Sequence, residues 1–210
     1  MRTSSRSVAV VLFDEVELLD VAGACSVLSA AGRQWNFRPF KVHAVATRVG
    51  PVETRSQVRL EARHPLSALT APEIIVVPGG YGARRASSDP ELVAWLKSAG
   101  QSATHLVGIG NGVVLLGAAG LLADHTVAAR PELEGPLEQS SASKVTLDTE
   151  APVARSKNLF TAQSSAHAAD AALALVSVLL GAKQARVVAE TLGIAFASGS
   201  PDQVAIVEKG

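Results

Sequence analysis

Two glycine-rich turns carry the residues that could do chemistry in this chain. The first lies within Thr104 to Leu122, THLVGIGNGVVLLGAAGLL, where the apolar residues Leu106, Val107 and Ile109 predict a buried strand. Gly110-Asn111-Gly112 then predicts a tight turn, and an apolar helix follows from about Val113. Such a strand-to-helix elbow aims the N–H groups of the helix start at one point, where an anion or oxyanion can bind. In many enzymes the central residue of the turn is a nucleophile held in strained geometry. Here it is Gly110, which has no side chain. The second turn, Pro78-Gly79-Gly80-Tyr81-Gly82, follows the short apolar strand Ile74 to Val77 and lets backbone approach a ligand closely. The N–H groups of Gly80 or Tyr81 and of Asn111 are candidates for an oxyanion or carboxylate cradle. The Tyr81 and Asn111 side chains could orient a small ligand or serve the turns themselves.

No other residues replace a nucleophile at the elbow. The single cysteine, Cys25, falls on an apolar-looking helix and is expected to be a buried, inert thiol. No Ser-His-Asp arrangement is legible. His43, His64, His105 and His125 are scattered without metal-ligand spacing, so neither a metal nor another cofactor is expected.

The elements that must position the two turns alternate between strand and helix. Ser7 to Phe13 is a continuous apolar run, as expected of a parallel strand buried on both faces. Asp14 to Asp20 leads into a helix whose Val21, Ala24, Val27, Leu28 and Ala31 share one face. Phe40 to Thr47 reads as a strand and Gly50 to Ala62 as a small β-hairpin. Asp89-Pro90-Glu91 is a helix start, with Asp as N-cap and Pro at the first position; this helix should reach about Ala99 and bury Leu92, Trp95 and Leu96. After the elbow, short strands are expected at Thr126 to Arg130, Val145 to Leu147 and Asn158 to Thr161, with a loop or short helix at Pro131 to Glu138. Ser164 or Ser165 is expected to cap the helix Ala168 to Leu180, and Ala182 to Leu192 forms the last helix. The alternation implies one α/β domain over 1–210, a flavodoxin-like, doubly wound and mostly parallel sheet with helices on both faces. Ligands in such sheets bind beyond the carboxyl ends of the strands, so the two glycine turns should converge.

Composition narrows the function classes. With 19 basic and 19 acidic residues, the chain lacks the basic excess that nucleic acid or an anionic membrane surface would require. No apolar run approaches the roughly 18 residues of a membrane span, and no cleavable apolar leader is legible at the start. A cytoplasmic protein acting on or binding a small molecule is expected.

Several stretches together resemble the ThiJ/PfpI superfamily, relatives of class I glutamine amidotransferases, and within it the isocyanide hydratases. They are VLFDEVELLDVAGACSVL, IIVVPGGYGA, DPELVAWL, GNGVVLLGAAGLL, NLFTAQSSAHAADAALAL and RVVAETLGIAFASGSPD, nearly the whole chain. The resemblance implies a homodimer with its active sites near the subunit interface. It also implies a cysteine at the centre of the elbow, with an acid from the first strand-helix junction bonded to the thiolate. Asp20, in LLDVAG, matches the acid, and Gly110 stands where the cysteine would be. Ala129-Arg130-Pro131 occupies the place of the Thr-His-Trp run of many relatives. Gln163, Ser164, Ser165 and His167 replace a glycine- and threonine-rich segment, which puts Gln163 and His167 where relatives line the pocket. Some relatives carry a helix-turn-helix domain after this one, for which a chain ending at Gly210 leaves no room.

Without the thiol, cysteine-adduct chemistry and glutamine amidotransfer lose their nucleophile. Asp20 then has two readings, a structural hydrogen bond or helix cap, or a partly desolvated carboxylate of raised pKa acting as general acid or base. The second describes a cofactor-independent lyase, hydratase or cyclase. The alternatives are a non-catalytic small-molecule-binding homologue and an isocyanide hydratase-type enzyme with its nucleophile substituted.

Overall fold

In a computed structural model, residues 5–33, 39–140, 144–195 and 205–206 are described. Strands β1 (Arg6–Val11), β2 (Phe40–Ala46), β6 (Ile74–Val77), β7 (His105–Ile109) and β11 (Leu159–Ala162) form the parallel centre of the main sheet. The full order is β12-β10-β11-β7-β6-β1-β2-β5, where β5 is His64–Pro65, β10 is Val153–Ser156 and β12 is Ala205–Ile206. Strand β10 runs antiparallel to β11 and was not expected from the sequence. Strands β3 (Gly50–Glu53) and β4 (Arg59–Ala62) make the expected antiparallel hairpin. Strands β8 (Thr126–Ala128) and β9 (Thr146–Asp148) pair in parallel as a separate ribbon. This is the mostly parallel flavodoxin-like α/β architecture.

The apolar runs explain the centre. All four residues of β6 are buried, and Val8, Ala9, Val10 and Val11 of β1 have no exposed surface. Strands covered on both faces need no polar alternation. Helices α1 (Leu18–Arg33), α6 (Ala168–Leu180) and α7 (Ala182–Leu192) pack on one another, as α4 (Gly112–Ala118) does with α2 (Ala83–Ala86), α3 (Pro90–Ser102) and α5 (Glu134–Ser140). Helix α1 buries Ala24, Val27, Leu28 and Ala31 as its spacing predicts. Asp89 caps α3 by accepting from the N–H groups of Glu91 and Leu92. Leu92 and Leu96 are buried while Trp95 is partly so, its indole N–H bonded to the Leu69 carbonyl at 3.0 Å.

The start of α6 differs from expectation. Neither Ser164 nor Ser165 caps it; Ser165–His167 form a 3-10 turn leading into the helix, with no side-chain cap. The last seven residues of RVVAETLGIAFASGSPD, 196–202, lie outside the described residues.

Candidate active site

Four neighbouring parallel strands, β11, β7, β6 and β1, deliver one component each past their carboxyl ends. These are the Ser165 turn, the Gly110-Asn111 elbow, the Gly79-Gly80 loop and Asp20 in the first turn of α1. Strand β1 has β2 on one side and β6 on the other, so chain order reverses between β1 and β6, the place where open α/β sheets form a ligand crevice.

The convergence is tight. A Cβ on Gly79 would lie 2.8 Å from the Ile109 carbonyl oxygen and 3.0 Å from Asp20 Oδ2, as well as against Asn111 Oδ1. Only a residue without a side chain fits between the carboxylate and the elbow. Gly79 N–H donates to Asp20 Oδ2 at 2.7 Å. The other carboxylate oxygen, Oδ1, is buried and has no hydrogen-bond partner among the described residues. Asp20 is 1% exposed, and burial pushes its pKa up to about 6. Ser165 and the Gly79 N–H pull in the opposite direction, and the like charge of Glu17 adds to the rise. The Ser165 hydroxyl favours the ionised carboxylate, while Oδ1 itself has no bond partner among the described residues.

At the elbow, Gly110 adopts φ +53°, in the left-handed region, and its N–H donates to the Ala162 carbonyl at 2.8 Å. The residue is buried, yet a Cβ there would meet nothing within 4 Å. The position thus keeps the backbone twist of a nucleophile elbow and the room for a side chain, but lacks the side chain.

The cradle is smaller than the sequence suggests. Gly80 N–H donates to Asn111 Oδ1 at 2.8 Å, and Asn111 Nδ2 returns a bond to the Gly80 carbonyl at 2.9 Å. That reciprocal pair occupies both the Gly80 N–H and the Asn111 side chain, which were expected to face a ligand. The backbone N–H groups of Asn111 and Gly112 make no hydrogen bond among the described residues and remain available.

The other candidates have partners of their own. The Tyr81 side chain is 70% exposed, with the Arg55 guanidinium 4.4 Å from its ring centre. Gln163 Nε2 donates to the Thr149 carbonyl, and its backbone N–H to the Pro152 carbonyl at 2.9 Å. His167 Nδ1 pairs with Asp170 Oδ2 at 3.1 Å. Ser165, assigned by sequence only to a cap, belongs instead with Asp20. No local pattern signals that pairing, because 145 positions of chain separate the two and only the packing of the 3-10 turn on α1 joins them. Cys25 is half-buried rather than buried as expected, and desolvation raises its thiol pKa to about 11. His125 Nδ1 pairs with the Ser156 carbonyl at 3.1 Å. Among the described residues, no group of three or more His, Cys, Asp or Glu side chains could hold a metal ion, and no helix is long and apolar enough to cross a membrane.

Comparison with known proteins agrees with this fold. An isonitrile hydratase from Pseudomonas putida is 29% identical over 195 residues, which is 91% of this chain and 81% of its own length. The crystal structure of a ThiJ/PfpI family protein from Pseudomonas syringae superposes with a TM-score of 0.79 at 21% identity, covering 97% of this chain and 82% of that one. Drosophila melanogaster DJ-1beta gives a TM-score of 0.79 at 22% identity over 91% of this chain and all of its own. The model of the DJ-1/PfpI family matches residues 6–178, from the first residue of β1 into α6 and so across all four strand ends that build the crevice; the chain belongs to the DJ-1/PfpI family.

Proposed function

We propose that this protein is a cofactor-independent enzyme of the lyase, hydratase or cyclase type, acting on a small molecule without a cysteine nucleophile. Asp20 serves as its general acid or base. The reading rests on one observation: a carboxyl group that is 1% exposed, whose pKa burial raises to about 6, and whose Oδ1 has no hydrogen-bond partner among the described residues, next to the glycine that separates it from the elbow. An isolated buried carboxylate is costly, and one whose pKa lies near the working pH can both give and take a proton. The open space at Gly110 accommodates substrate where relatives would place a thiol, and the Asn111 and Gly112 N–H groups stabilise charge that develops on it. The similarity to the Pseudomonas putida isonitrile hydratase supports addition of water across a small unsaturated group as one such reaction. The family relationship supports a homodimer.

A second reading is favoured by the Asn111–Gly80 pair. By consuming an N–H group and an amide side chain, it leaves fewer donors for a transition state, as suits a homologue that binds a small molecule without converting it. A metabolite screen by thermal shift, followed by mass spectrometry of the mixture, separates the two. Conversion of a stabilising compound by the parent protein, lost in Asp20→Asn with the fold intact, supports the enzyme. A compound recovered unchanged, or full turnover by Asp20→Asn, overturns it.

A further inference from the structure

We propose that the proton exchanged by Asp20 resides on Oδ1 and that Ser165 is the positioning residue for it, supplying the hydroxyl that Oδ1 takes as partner during exchange. This deepens the reading of Asp20 as an acid or base and rests on it. Gly79 N–H is a donor only, and at 2.7 Å it requires a lone pair on Oδ2. A proton on Oδ2 would compete for the lone pairs that this bond needs. Oδ1 has no such constraint, being buried without a hydrogen-bond partner among the described residues. The neutral carboxyl therefore carries its hydrogen on Oδ1.

The other groups facing the carboxyl cannot serve as the partner of Oδ1. The α1 entry offers Glu17, which is acidic and repels. The β6 loop offers the Gly79 N–H, already spent on Oδ2. The elbow offers the Asn111 side chain, held by Gly80 in both directions. The turn before α6 offers Ser165, and one residue beyond Ala166 the His167 ring is engaged by Asp170. Ser165 alone of these is a hydroxyl, it acts on Asp20, and it is partly exposed whereas Asp20 is sealed. A hydroxyl suits both states of a carboxyl: it donates to the ionised form and accepts from the neutral one. In the exchange, the Oδ1 proton passes to Ser165 Oγ as Oγ releases its own proton to an acceptor on the open side. Asp20 ends as carboxylate, the acceptor gains one proton, and Ser165 is unchanged.

The test needs no substrate. Protein labelled with 13C at aspartate carboxyl carbons is titrated by NMR, with Asp20 assigned by its loss in Asp20→Asn. Ser165→Ala should move the Asp20 midpoint upward by about half a unit or more, roughly threefold in proton affinity, because a donor to the charged form is removed. Ser165→Thr, which keeps the hydroxyl, should restore it. The Gly79 amide should stay hydrogen-bonded on both sides of the midpoint. An unmoved midpoint in Ser165→Ala, an equal shift in Ser165→Thr, or loss of the Gly79 bond on protonation overturns the proposal; amide spectra of each variant report the fold. These outcomes are independent of the catalytic reading, which fails instead if Asp20→Asn keeps full turnover.

Discussion

Asn111 and Gly80 exchange two hydrogen bonds, at 2.8 Å and 2.9 Å, through which the elbow after β7 and the loop after β6 hold each other. An amide can do this because it presents a donor and an acceptor side by side, matching the N–H and C=O of one residue. The crevice is thereby organised before any ligand arrives.

Asn111→Ala should destabilise the protein by about 1–3 kcal/mol, the range for leaving partly buried backbone groups unpaired. Urea unfolding would measure the loss, and hydrogen exchange should show the Gly80 amide losing protection ahead of the strand amides. Retained protection at Gly80 would contradict the clasp.

Asp20 makes stability depend on pH with a definite sign. Its pKa in the fold is about 6 against an ordinary 3.8, so the native state holds the proton more tightly than the unfolded chain does. The corresponding stability is fully present below about pH 4, is lost as pH rises through 6, and is level above. A shift of about two units corresponds to about 3 kcal/mol. Unfolding free energies of Asp20→Asn, measured from pH 4 to pH 8, should gain on the parent by up to that amount. Parallel profiles would refute the assignment.

The two central glycines should respond differently to alanine. At Gly79 a methyl group meets the Ile109 carbonyl, the Asn111 side chain and the carboxylate together. At Gly110 it meets open space and suffers only the positive φ. We expect Gly79→Ala to cost on the order of 3 kcal/mol or to prevent folding, and Gly110→Ala about 1 kcal/mol. Denaturant midpoints compare them directly, and the reverse order would count against the described packing.

Gly110→Cys should fold with a similar cost of about 1 kcal/mol, since the space beside Gly110 is already open. Its thiol should be alkylated by iodoacetamide faster than Cys25, whose pKa burial raises to about 11. Comparing the variant with its parent in isocyanide hydration would test whether the crevice retains that chemistry; a gain would favour a substituted hydratase, and none would weigh against it.

How much of this was legible beforehand varied with the range of the forces involved. Strands such as Ile74–Val77 and helices such as α3 declare themselves in short stretches, because burial period and caps are properties of neighbouring residues. Strand β10 was missed because Val153–Ser156 is short and includes Arg155, so it carries no clear apolar run. The cap assigned to Ser164 or Ser165 failed because a 3-10 turn intervenes, which is a matter of how that turn seats on α1.

From its sequence alone this protein determined the alternation of strand and helix, the two glycine turns and their meeting at the carboxyl ends of the sheet. The hydrophobic pattern suffices for that, since it decides which faces are buried and hence how the layers stack. Tertiary structure decided which polar groups remain free in the crevice. Asn111 spends its amide on Gly80, Asp20 keeps one oxygen without a partner among the described residues, and Ser165 joins the carboxylate from the turn before α6. Hydrogen bonds act over a few ångströms and in fixed directions, so partners far apart in sequence are chosen only when the packed elements bring them together.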